Sequence, residues 1–222
     1  MLAALLVSAC GSPTSAPARS PSRSVFPSGQ NKRVNPANIR RVARDMPPGY
    51  EVTSGIPSAA APPVIWGLQA GAPDLRAKPA QCAALADPGN GHDQSAQGLS
   101  GSGTGGIVDA VVVALGGPVD LDQDVVAACG AWTMTAGHTT TSLHLTDPAR
   151  IDGTDTVGMV ADITTSVESG TEIGSRAYTF IAYLGDYYAY TTLVTDPGAA
   201  HPALTPQFAA DLLVKTVSTL RS

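Results

Sequence analysis

The sequence predicts an α+β domain: a mainly antiparallel sheet with helices packed on one face and one disulfide. Strand-like segments are grouped late, while helix signals stand at the ends and in the middle, so the order is not the alternating βαβ of a parallel sheet. The 222 residues include 23 Gly and 18 Pro, which favours many turns over long helices. Three cysteines are present, and two of them, Cys82 and Cys129, fall inside the predicted domain.

Asn35-Pro36 reads as a helix start, an N-cap residue followed by Pro at the first helical position. Ile39, Val42, Ala43 and Met46 then share one face, and Pro47-Pro48-Gly49 ends the helix. Tyr50-Glu51-Val52 starts a short strand, and Pro63 to Leu68, with Trp66, reads as a second. Pro79 to Ala86 reads as a short helix carrying Cys82, followed by the loop Asp87-Pro88-Gly89-Asn90-Gly91. A Gly-rich stretch leads into a β-branched strand over Ile107–Leu115. Asp120 or Asp122 caps a helix that runs to about Gly130 and carries Cys129.

Trp132 to Thr146, with Thr at many positions, suits a strand. Three further strands are predicted at about Thr156–Val167, Arg176–Leu184 and Tyr187–Thr195. Gly185-Asp186 joins the last two as a two-residue hairpin with Gly first. Thr205-Pro206 opens a final helix whose apolar stripe is Ala209, Leu212, Leu213, Val217 and Leu220.

The amino terminus reads differently. Leu2 to Val7 is an apolar run too short to span a bilayer, as in the core of a secretory signal. No basic residue precedes it, so the signal over residues 1–9 is expected to be truncated. Leu6-Val7-Ser8-Ala9-Cys10 resembles a bacterial lipobox, with small residues at the cleavage point and a thiol at Cys10 to receive lipid. Residues 10–34 follow as a lipidated Cys and a Ser/Pro-rich tether, with too few large apolar residues to offset ordering entropy. Residues 35–222 are the domain. The expectation is export, with anchoring on the outer face of the cell membrane through lipid on Cys10.

Charge is divided along the same line. All 18 acidic residues lie from Asp45 onward, and four of the 13 basic ones precede Asn35, leaving +4 before that residue and −9 after it. So acidic a domain is a poor nucleic-acid partner. With Cys10 lipidated, Cys82 and Cys129 remain for a disulfide in an oxidising compartment. Two distant cysteines without a CxxC or paired His do not make a zinc cage, and no metal or cofactor is expected.

The lipobox, the tether, Met46-Pro47-Pro48-Gly49-Tyr50-Glu51-Val52, Pro79-Ala80-Gln81-Cys82-Ala83-Ala84-Leu85 and Cys129-Gly130-Ala131-Trp132 together resemble mycobacterial envelope lipoproteins of an uncharacterised family. That family is distantly similar to the extracellular sensor domain of PknH-like kinases. The resemblance implies an α+β domain with disulfides, a surface cleft and a binding or sensing role.

Other motifs lack parts of the chemistry they would need. Gly101-Ser102-Gly103-Thr104-Gly105-Gly106 has the spacing of a dinucleotide loop, but a β-branched run follows where a helix is required. Asp120-Leu121-Asp122-Gln123-Asp124 opens like a calcium loop, yet Val125 and Ala131 stand where Gly and Glu belong. Ser100, Ser102 and His92, His138, His144 and His201 are raw material for a hydrolase without a nucleophile elbow. Tyr183 across from Tyr188, and Ile181 across from Tyr190, give one face of the last hairpin an aromatic surface suited to ligand contact. The resulting expectation is a membrane-anchored, non-catalytic module that binds a ligand or an envelope protein through Tyr183, Tyr188 and Tyr190. A carrier of lipid or another apolar molecule is the alternative, and an envelope hydrolase the third reading.

Overall fold

A computed structural model of the chain describes residues 33–56, 63–68, 73–198 and 200–222. The expected signal, Cys10 and the tether as far as Lys32 lie outside the described residues. Nine strands are present: β1 (Glu51–Ser54), β2 (Arg76–Lys78), β3 (Gln94–Gly103), β4 (Gly106–Val119), β5 (Ala131–Ala136), β6 (Thr139–Thr146), β7 (Thr156–Ser166), β8 (Glu172–Tyr183) and β9 (Gly185–Thr195). They form one sheet in the order β1-β3-β4-β9-β8-β7-β6-β5-β2. Every neighbouring pair is antiparallel.

The β8–β9 register is the one the hairpin chemistry predicts, with Tyr183 opposite Tyr188 and Ile181 opposite Tyr190. Gly185 takes φ +78°, and the Leu184 N–H donates to the Tyr187 carbonyl at 2.8 Å. Both are what a two-residue turn with Gly first requires. The Gly-rich segment is not a loop entering a strand, as expected. It is itself β3, and Thr104-Gly105 turns it into β4. Its small residues make room for a neighbour: a Cβ on Gly103 would stand 2.5 Å from the Tyr50 ring. The predicted strand over Trp132 to Thr146 is two strands, β5 and β6, because Gly137 (φ +54°) turns the chain.

One face of the sheet carries two helices. Pro36–Asp45 is a 3-10 helix capped by Asn35, whose side-chain carbonyl accepts from the Ala37 N–H at 3.2 Å. Ile39 and Val42 are buried and Ala43 is exposed, which corrects its expected place on the apolar face. Three residues per turn align 39 with 42 and rotate 43 away. The other helix, α3 (Pro206–Leu220), buries its whole predicted stripe. The two are joined end to end: the Asn35 N–H donates to Leu220 O at 2.8 Å, and the Asn38 side chain donates to Ser222 O at 2.9 Å. They cover Leu99, Val108, Ala110, Val112, Phe180, Ala182 and Leu193.

Helices are not confined to that face. The second face packs under α1 (Ala83–Ala86), α2 (Gln123–Ala128) and the segment 63–68. That segment is not the expected strand. Val64 and Ile65 are adjacent yet both buried, which a strand lying on one face does not allow, and Gly67 (φ +78°) turns it. The Thr179 hydroxyl holds it in place by donating to Val64 O at 3.1 Å. β4, β8 and β9 are therefore covered on both sides and lose hydrophobic alternation, while β5 and β6 keep it.

The expected disulfide is formed. Cys82, just before α1, is bonded to Cys129, just after α2, with α-carbons 5.7 Å apart. Among the described residues no helix is long and apolar enough to cross a membrane.

Candidate functional site

The tyrosine face was expected to line an open groove, with helices only on the other side. Instead Tyr183, Tyr188 and Tyr190 are 8, 1 and 1% exposed, because α1, α2 and segment 63–68 close over them. The Tyr188 and Tyr190 rings stack with centroids 6.1 Å apart. Burial pushes all three phenol groups well above their ordinary value of 10. For Tyr188 the negative charge of Asp87 adds to this.

Tyr188 is tied to the loop after α1. Its hydroxyl donates to Gln94 Oε1 at 3.3 Å, and Gln94 Nε2 donates to Gly89 O at 2.9 Å. Further along the same face, Asp109 on β4 lies opposite Ser100 on β3 and Thr192 on β9. Burial raises its carboxyl, and a hydrogen bond with Ser100 pulls the other way.

Of the three, Tyr183 lines a surface pocket. This pocket has a volume of about 240 Å³, between the loop that follows α1 and the segment that opens α2. Leu85, Val119 and Val125 supply apolar lining, and Asp87, Asp120 and Asp122 supply carboxylates. Asp122 caps α2, its Oδ1 accepting from the Asp124 and Val125 N–H groups at 2.9 and 3.2 Å. That is why the calcium-like string is a helix start. Burial raises the Asp87 carboxyl. The two walls are the segments that Cys82–Cys129 holds together.

The sequence reading singled out Tyr183 but not Asp87, treated as part of a loop, nor Asp120 and Asp122 as its neighbours. A signal was present: Asp87 lies five residues after Cys82 and Asp122 seven before Cys129, so a bridge between the cysteines draws these acids together. The four histidines are all exposed, His138 in the turn before β6 and His144 on β6. Ser100 lies within β3 and not on a strand-to-helix elbow. Among the described residues no group of three His, Cys, Asp or Glu is placed to hold a metal ion.

Between the sheet and its helices, Leu193, Leu212 and Leu213 are buried on one face and Ile181, Tyr188 and Tyr190 on the other. Surface pockets of about 240 to 560 Å³ lie among the described residues.

The fold is shared with a solved structure of an uncharacterized protein, the Rv0999 ortholog of Mycobacterium smegmatis. That chain is 18% identical, with a TM-score of 0.64 over 86% of this chain and all of its own. The extracellular domain of PknH from Mycobacterium tuberculosis aligns at 14% identity with a TM-score of 0.40, over 84% of this chain and 93% of its own. No curated protein matches the chain. The model of DUF5642, described as a domain of unknown function, matches residues 35–221, and the chain therefore belongs to the DUF5642 family.

Proposed function

We propose that the chain is an exported, membrane-anchored, non-catalytic envelope module that binds a small ligand in the pocket at Tyr183. The observation that carries this reading is Tyr183 itself. Its side chain is almost wholly buried, it lines the pocket, and its hydroxyl makes no hydrogen bond to any described residue. That hydroxyl is not among the fully buried unpartnered atoms, so it is open to whatever enters the pocket and can exchange a contact with solvent for one with a ligand. The volume is below the roughly 300–1,000 Å³ of drug-sized sites, so the ligand is small.

Export is supported by the disulfide, since such bonds persist in oxidising compartments. Anchoring is supported by the lipobox at Cys10 and the tether, whose four basic residues would rest on anionic headgroups. A sensor-like role accords with a small pocket held between two disulfide-linked walls.

The test is native mass spectrometry of the full chain carrying Cys10→Ser, incubated with a low-molecular-weight envelope extract. A small-molecule adduct that Ala84→Phe abolishes, by filling the pocket from its exposed wall, supports the reading. An adduct unaffected by Ala84→Phe, or no adduct at all, overturns it.

A further inference from the structure

Arg221, just past the end of α3, is a cation drawn into the fold without a counter-charge. Among the described residues every other Lys and Arg is exposed, while Arg221 is half-buried. One Nη2 proton goes to the Thr154 hydroxyl at 2.8 Å, a neutral partner. The Nε–H is fully enclosed and meets no acceptor. Among the described residues the ion pairs are Arg44–Asp45, Lys215–Asp45 and Arg176–Asp162, and none involves Arg221. Burial pulls its guanidinium below the ordinary value, yet an arginine keeps its proton in a protein, so the charge is not shed. A charge held away from water is costly unless it is paired and hydrogen-bonded.

The guanidinium lines a pocket of about 560 Å³ between the start of the described domain and the β8–β9 turn. Its Nη1 is neither enclosed nor bonded to a described residue, so it is open to a ligand. Arg33 lines the same pocket. So does Asn35, whose Oδ1 is taken by the Ala37 N–H and whose Nδ2 is left to donate. The opposing charge is Asp186, exposed at the turn, which leaves two cations against one acid. Arg221 also lines a pocket on its other side, with Arg150, but there Asp152 stands against them and no free side-chain amide is added.

We infer that the pocket at Arg221 binds a phosphate group, held by the guanidinium groups of Arg221 and Arg33 and the side-chain amide of Asn35. Three separate donor groups suit a phosphate, with its three free oxygens, better than a carboxylate with two, and guanidinium is the side chain best matched to it. The bound anion supplies the charge that Arg221 lacks. The phosphate belongs either to a soluble compound or to a lipid headgroup, and both present the same oxygens. This site shares no lining residue with the Tyr183 pocket and does not rest on the reading of that pocket.

The experiment follows the Arg221 Nε–H by NMR in the full chain carrying Cys10→Ser, since an enclosed N–H is shielded from exchange with water. Inorganic phosphate and, separately, acetate are titrated at constant ionic strength. The expected result is a saturable shift with phosphate, and binding at least tenfold weaker with acetate. Arg33→Ser should weaken phosphate severalfold, while Arg150→Ser, at the other pocket, should leave it unchanged. Arg221→Met should keep the melting temperature in phosphate-free buffer, because it removes an unpaired charge, and should abolish the rise that phosphate gives the native chain. If Arg221→Met does not fold, the acetate and Arg33→Ser arms still decide. Co-sedimentation with phosphatidylglycerol vesicles separates the two sources: it depends on Arg221 for a lipid phosphate and is unaffected by Arg221→Met for a soluble one. No saturable shift, equal binding of acetate, or undiminished phosphate binding by Arg33→Ser overturns the inference and leaves the Tyr183 pocket untouched.

Discussion

Cys82 is bonded to Cys129, their α-carbons 5.7 Å apart, and through this link the loop bearing Asp87 faces the helix that Asp122 caps. The closed segment is long, with a sequence separation of 47. In the chain-entropy model such a closure stabilises by roughly 4 kcal/mol, less where the denatured chain keeps structure. Replacing both cysteines by Ala should lower the unfolding free energy by about 2–4 kcal/mol in urea titrations. A loss under about 0.5 kcal/mol would mean that the pocket walls hold together without the bridge.

The turn between β3 and β4 sets a second expectation. Gly106 takes φ +127°, and a Cβ there would run into the Val194 carbonyl oxygen on the paired strand. Gly106→Ala should destabilise by about 1–3 kcal/mol. Gly103→Ala should also destabilise, by about 1–3 kcal/mol, since the Tyr50 ring must move. Thermal unfolding of the two variants checks both, and Gly55→Ala is a useful control, since its positive φ comes with open space around the position.

Asp109 predicts a pH dependence with a definite sign. Burial raises its carboxyl above the ordinary 3.8, against the smaller pull of the Ser100 hydrogen bond. The folded protein therefore binds this proton more tightly than the unfolded chain does. The Asp109 contribution is most favourable below the ordinary value and falls as pH rises through the folded pKa. Asp109→Asn removes the titration. The melting temperature of the variant relative to the native protein should rise between pH 3 and pH 7, and a difference independent of pH would contradict the assignment.

Anchoring is tested by fractionation. Cys10→Ser should release the protein from the membrane fraction or leave it uncleaved. If the variant still partitions into detergent with native efficiency, the lipobox has been misread. Limited trypsin treatment of the same material should cut at Arg19 and Arg23 and leave the domain intact from about Asn35.

The antiparallel class, the final hairpin, the last helix and the Cys82–Cys129 pair were all legible in the sequence, because each rests on local chemistry or on counting. Gly185-Asp186 can only turn one way, Leu212, Leu213 and Val217 mark a single stripe, and two cysteines beyond Cys10 allow one pairing. What covers the sheet was not legible. Val64 and Ile65 carry no sign that they lie across the second face, since burial of adjacent residues depends on neighbours distant in the chain. The same closure buried Tyr188 and Tyr190 and left Tyr183 lining a pocket. Its acids come from segments more than thirty residues apart, and only the tertiary structure, through the disulfide and the packing of α1 and α2 on the sheet, decided that they meet.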